Sequence, residues 1–493
     1  MLSGGSAPFS RRKLLRAMTA AATGLAIAAC APTAPPTPTP APAKPVAPAA
    51  EPTKPVAAAA TPTTPPKPAA GPSPTPTLPA SSVAYTPGFT KLLARVHWSG
   101  QIFADFLKLV DEYNAGQGKE DKIWVELQRF LATTFTQQMS TFIADFQAGT
   151  SEDIYHLFNA LFPDLADKGL FNAPPPEVQS YVRENYYPGP VFGATWKGQI
   201  YGYPTENQPS VLYMTKELFA KAGLDATKDY PKNWDELRKV AKQLTKVEGG
   251  KKVNVGFVWP DTVDWRHFKD RVYMHWTEGE QFVDEEKLTV NLHTDVGRAI
   301  TELWHNMTVV DGSTSAGLGT WADSYTKKLA AMLYQDAWVA RFTIRDQGGN
   351  PLLQDQHTEL FPSMKGGKEG TIEHHYTLLV GSKSKAKEAA WKFLKWMNEK
   401  PDIRMQKFQT DVFGFAPSHK GYKMPDLMPE QMRKTFDRAV QNGIALPRIK
   451  GIPRVQEILM KHQQDLAFGK VDPKQFTENA AKEINAALKD AYS

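Results

Sequence analysis

Cysteine is almost absent: Cys30 is the single one in 493 residues, so no disulfide can form within the chain, whatever compartment it occupies. A membrane-spanning run is lacking in the leader: the apolar stretch Ala17–Ala29 holds 13 residues, short of the ~20 that a spanning helix needs. Surplus basic charge is lacking too. The formal net charge is +6, but Arg11, Arg12, Lys13 and Arg16 stand before Cys30 with no acid among them, so the rest of the chain carries only +2. That balance gives no basic surface for nucleic acid. Signatures of catalysis are missing: Gly-x-Ser-x-Gly, a Walker loop, a glycine-rich dinucleotide fingerprint and His-Glu-x-x-His do not occur. Ser382 to Lys385 matches Ser-x-x-Lys formally, without the companion motifs that would make it an acyl-transfer centre. His374-His375 has no third ligand at a recognisable spacing, so neither a metal nor a cofactor is expected.

What is present begins with an address. The basic SRRKLLR precedes the short apolar run, a pattern of export in which Arg11-Arg12 resemble a twin-arginine signal. Ile27-Ala28-Ala29-Cys30 resembles a lipobox, whose cysteine is lipidated and becomes the mature N-terminus. Residues 1–30 are therefore expected to be removed or anchored, and the protein to work outside the cytoplasm, attached to the cell membrane. Residues 31–88 hold 19 of the 39 prolines, with alanine and threonine between them. Such a segment cannot bury enough apolar surface to offset its chain entropy and reads as an extended tether.

From about Phe89 the pattern is globular, and ~400 residues exceed the ~250–300 at which a single core stops growing, so two lobes are expected. Leu92 to Trp98 reads as a strand, and Ile102, Phe106, Leu109, Val110 and Tyr113 then recur at helical spacing. Ile123 to Leu127 is a second strand, Phe135 to Phe146 a second amphipathic helix, and Asp153 to Leu157 a third strand. This alternation predicts a mostly parallel sheet with helices on its faces. Asn233, with Glu236 three residues on, reads as a helix cap. Ligands of such sheets bind beyond the carboxyl ends of strands, which places Trp98 and Phe158-Asn159 at a cleft.

Several stretches in fixed order carry a family resemblance. AGTSEDIYHL (Ala148 to Leu157), LADKGLF (Leu165 to Phe171), WKGQIYGYPTENQPSVLYMTKELFAKAGLD (Trp196 to Asp225), PKNWDELRKVAKQLTK (Pro231 to Lys246), TKKLAAMLYQDAW (Thr326 to Trp338), SKSKAKEAAWKFLKWM (Ser382 to Met397) and GFAPSHKG (Gly414 to Gly421) resemble the sugar-binding extracellular solute-binding proteins of ABC transporters. The resemblance covers residues 89–493. It implies an α/β fold of the type II periplasmic-binding kind: a two-lobed clamshell, each lobe a mainly parallel sheet flanked by helices, with three crossings between lobes. The crossings fall near Pro204 to Gln208, Thr371 to Thr377 and Phe413 to Pro417. One lobe is then 89–205 plus 373–414, and the other 206–372 plus 415–493.

The implied function is capture, without catalysis, of a small solute, with a carbohydrate expected, and delivery by a monomeric lipoprotein to an ABC permease. The other readings are a binding protein for a polyamine, organic phosphate or peptide, and an exported glycan-acting hydrolase. Trp98, Trp259, Trp338 and Tyr376 stand at strand ends or turns where a ring can stack on a pyranose. Asn159, Glu206, Asn207, Gln208, Arg271 and His375 are the polar partners expected for its hydroxyls.

Overall fold

A computed structural model describes residues 79–130, 134–260, 264–342, 353–424 and 428–493. The export segment, Cys30 and the tether as far as residue 78 lie outside the described residues. Ordered contacts begin ahead of Phe89: the Ser81 hydroxyl and the Ser82 N–H donate to the Asp111 carboxylate, at 2.5 and 2.8 Å, and Trp124 Nε1–H donates to the Val83 carbonyl.

Eleven strands among the described residues form one sheet: β1 (Thr90–Val96), β2 (Ile123–Arg129), β3 (Ile154–Phe158), β4 (Phe171–Asn172), β5 (Gly202–Thr215), β6 (Lys246–Glu248), β7 (Lys251–Phe257), β8 (Ala330–Asp336), β9 (Gln356–Glu359), β10 (Thr371–Gly381) and β11 (Gly443–Ala445). The order is β2-β1-β3-β10-β5-β8-β7-β6, with β4 and β11 on β10 and β9 on β5. The parallel pairs expected from strand–helix alternation, β1 with β2 and β3 and β8 with β7, lie on the two flanks. The middle is antiparallel, because β5 and β10 are long strands running side by side in opposite senses. Residues 202–209 of β5 pair with β10, and residues 210–214 with β8. One chain segment therefore serves both halves of the sheet, and β10 does the same between β3 and β5.

The helices that frame this sheet are α1 (Gly100–Ala115), α2 (Phe135–Ala148), α3 (Trp234–Gln243), α4 (Asp264–Thr277), α5 (Asp295–His305), α6 (Lys387–Asn398), α7 (Glu430–Gln441), α8 (Ile452–Ala467) and α9 (Pro473–Asp490). The cap expected at Asn233 is formed: its side chain accepts from the Glu236 N–H at 3.0 Å, satisfying a donor that the helix leaves unpaired. One apolar core draws its buried members from residues 92–203 and 378–415 alone, where α1 and α6 meet through Tyr113 and Phe393, ring centres 4.8 Å apart. A second draws on 211–439, and the largest runs across the sheet, with members from Phe130 to Leu488. Trp338 packs against the first two. No described helix is long and apolar enough to cross a membrane.

Candidate functional site

The third segment singled out in the sequence, around Ala416, meets β5 and β10 at one residue. Asn207 pairs with His375 and also with Ala416, and its side-chain amide donates to the Pro417 carbonyl at 3.3 Å. Beside this junction the β5–β10 register shifts: His375 faces Asn207, but Thr377 faces Pro204. Thr205 and Glu206 thus stand against Tyr376 alone, a bulge of the kind that re-aims side chains next to sites.

In the regular stretch beyond the bulge, strand alternation decides which side chains reach the cleft. Gln208 and His374 are cross-strand partners and share one face, with Glu206 and Tyr376 next along it. Asn207 and His375 point to the other face. These side chains, with Trp98 beyond β1, Phe158 at the end of β3, Phe135 at the start of α2, Trp338 beyond β8, and Phe413 and Phe415, enclose a cavity of about 240 Å³. Strand ends from both flanks of the sheet converge on it, as the carboxyl-end rule requires.

Five of the expected residues meet here: Trp98, Glu206, Gln208, Trp338 and Tyr376. Asn159 stands behind the wall, its backbone N–H bonded to the His375 carbonyl at 2.9 Å. His375 is fully buried on the far face of β10, against Gly193 and 3.6 Å from the Glu373 carboxylate. The cavity takes His374 in its place, because side chains change face at every residue. Trp259 is packed away between His267 and Trp304, its backbone N–H donating to Ser315 Oγ. Arg271 is inside a helical layer: its guanidinium donates to Thr301 of α5 and Gln463 of α8 and lies 4.9 Å from the centre of the Phe476 ring. Both are interior residues, and neither lines the cavity. His97, His156 and His374 were not among the expected residues. His156 shares the parity of Phe158 on β3, but β3 is buried along its whole length, so alternation alone does not single it out.

Glu206 is the polar centre. It is fully buried, accepts Trp98 Nε1–H at 2.9 Å and the Gln208 amide, and stands 3.7 Å from His97 Nε2 and 3.8 Å from His156 Nε2. Burial pushes its carboxyl up to about 8 against the pull of those two hydrogen bonds, with the Asp336 charge adding to the rise. Burial likewise holds His97 well below its ordinary value, helped by His374 and Arg129, and does the same to His156. His97 lies stacked between His156 and Tyr376, with ring centres 5.1 and 4.1 Å away. Near pH 7 the polar floor is thus a protonated carboxyl, an amide and neutral imidazoles, groups able to donate and accept without net charge. Gln208 Oε1 is buried without a hydrogen-bond partner, an acceptor left for a ligand.

Behind the cavity a charged network fixes Trp338. Asp336, the last residue of β8, accepts from Lys269 of α4 and from Ser210 of β5, and its second oxygen lies 3.4 Å from His374 Nδ1. Burial raises the Asp336 carboxyl, but Lys269 and His374 outweigh it and hold the group below its ordinary value.

A sheet shared by two halves, three chain segments meeting at one point and an aromatic cleft beside them define a two-lobed solute-binding protein of the type II class. The chain belongs to the bacterial extracellular solute-binding protein family, whose sequence model matches residues 99–402. A binding protein of Brucella abortus (strain 2308) is 25% identical over 359 residues, covering 70% of this chain and 82% of its own. The sn-glycerol-3-phosphate-binding periplasmic protein of Brucella melitensis is 24% identical over 337 residues, 62% of this chain and 72% of that one. Among solved structures, the ABC substrate-binding protein Lmo0181 of Listeria monocytogenes in complex with cycloalternan superposes with a TM-score of 0.67 at 16% identity, covering 81% of this chain and 99% of its own. The family binds and does not catalyse.

Proposed function

We propose that the protein captures a neutral polyhydroxy solute, a carbohydrate of single-ring size in the closed cleft, and passes it to an ABC permease. The observation that carries this reading is the lining. Among the described residues it is aromatic on most sides, holds no lysine or arginine, and has Glu206 as its one carboxyl. An organic phosphate of the kind named for the Brucella melitensis relative would find no cationic side chain there, and a polyamine would find a carboxyl that burial keeps protonated. Trp338, half-buried and braced edge-on by Trp321 at 5.8 Å, offers the stacking face. The volume of about 240 Å³ is below the ~300–1,000 Å³ of pockets for drug-sized ligands, which favours one ring over a chain of them.

The two lobes are assigned as 89–205 plus 373–414 and 206–372 plus 415–493, with the junction at Asn207 as hinge. Two of the three apolar cores support this boundary, one ending at Tyr203 and resuming at Leu378, the other beginning at Val211, while the largest core runs across it. A solute touching both halves stabilises the closed form through its differential affinity. Calorimetry against monosaccharides, sn-glycerol 3-phosphate and polyamines tests the reading. A monosaccharide should bind in the micromolar range and compact the protein in solution scattering. Trp338→Ala should weaken it about tenfold, the loss of roughly 1.4 kcal/mol. Binding of anions or amines alone would overturn the carbohydrate assignment.

Anchoring is proposed through Cys30, on the lipobox-like Ile27-Ala28-Ala29-Cys30. Cys30→Ala should shift the protein from the membrane to the soluble fraction, and unchanged fractionation would sink the anchor.

A further inference from the structure

We propose that His97, His156 and Glu206 form a binding site for one divalent first-row transition cation at the floor of the cleft. The three residues come from the end of β1, from β3 and from β5, so the sheet itself brings them together. Their ligating atoms all lie within 4.8 Å of one another. His97 Nε2 and His156 Nε2 converge on the same oxygen, Glu206 Oε1, at 3.7 and 3.8 Å. Those gaps are too long for hydrogen bonds, so the three groups face each other without satisfying one another.

A cation held at ~2.0–2.2 Å from each atom would fill that gap after an inward shift of a few tenths of an ångström. Two imidazoles and one carboxylate suit zinc and its first-row neighbours, whereas calcium and magnesium take oxygen ligands, and the cation displaces the Glu206 proton to solvent as it binds.

The surroundings fit an ion as well. Trp98 Nε1–H at 2.9 Å and the Gln208 amide hold the carboxylate from outside, the outer support that metal ligands need. The Nδ1 atoms of both histidines are buried without partners, so each can carry the ring proton while Nε2 binds the metal. His156 Nε2 meets Thr205 Oγ1 at 2.8 Å. A cation would replace that contact, and the Thr205 hydroxyl would keep its bond to the Tyr376 carbonyl at 3.1 Å. His97 and Glu206 also line the cavity, which leaves the remaining coordination positions open to water or a solute hydroxyl.

The test uses the full chain, stripped with chelator and dialysed against zinc without any sugar, so that it is independent of the solute reading. One zinc per chain should be retained. His97→Gln and Glu206→Gln should each weaken retention at least tenfold, with the metal-free proteins still unfolding cooperatively. Cobalt substituted into the unaltered protein supplies a second readout that needs no variant: a nitrogen-bound, low-coordinate site gives intense visible bands, and a surface-bound ion gives the weak spectrum of an octahedral oxygen shell. No retained metal, retention in both variants equal to that of the unaltered protein, or only the weak octahedral spectrum would overturn the proposal.

Discussion

Glu206→Ala should destabilise the fold and remove solute binding together. The carboxyl accepts from Trp98 and from Gln208, and truncation leaves two buried donors without acceptors, at ~1–3 kcal/mol for each. Little is returned by deleting a charge, because burial keeps the group protonated near pH 7. A loss of roughly 2–6 kcal/mol in unfolding free energy is expected, read from urea titration followed by tryptophan fluorescence. Solute affinity should fall at least tenfold, since the Trp98 ring and the Gln208 amide both lose the group that orients them. Glu206→Gln should recover most of the stability, because its amide oxygen still accepts Trp98 Nε1–H. If alanine and glutamine variants are equally stable, Glu206 does not organise this cleft.

What made the cleft legible in the sequence was the strand-end rule. Trp98 and Phe158 follow or close short strands that alternate with amphipathic helices, and both line the cavity. Glu206 and Gln208 were legible as polar residues inside an otherwise apolar stretch. The choice between His374 and His375 was not. It depends on the phase of β10 against β5, and a one-residue bulge beside Tyr376 helps set that phase. Trp259 and Arg271 misled for another reason: a tryptophan after a strand and an arginine on a helix read as surface groups until the helical layer above them is in place. In the fold, α5, α8 and α9 supply the Trp304 ring, the Thr301 and Gln463 oxygens and the Phe476 face that take them inside. His156 was hidden because it sits in IYHLF, where every residue is buried and a histidine reads as core.

The network behind Trp338 leads to the second large effect. Lys269 and Asp336 are both buried, and with Ser210 they tie α4 to the end of β8 and the middle of β5. A buried pair contributes little net stability relative to apolar substitutes, but removing one partner strands the other charge in the interior, at ~3–5 kcal/mol. Lys269→Met should therefore cost about that much in urea unfolding. It should also weaken solute binding, because Asp336 lies two residues before Trp338 and anchors the turn that carries it. In Lys269→Met combined with Asp336→Asn no unpaired carboxylate remains, and most of the lost stability should return. Solute affinity should return less completely, since the amide cannot pull the turn down on α4 as the ion pair does. A single variant within about 1 kcal/mol of the parent would mean that solvent or a shift of Asp336 relieves the charge. The turn at Trp338 would then owe its position to Ser210 and to the bond from the Tyr213 hydroxyl to the Asp336 carbonyl.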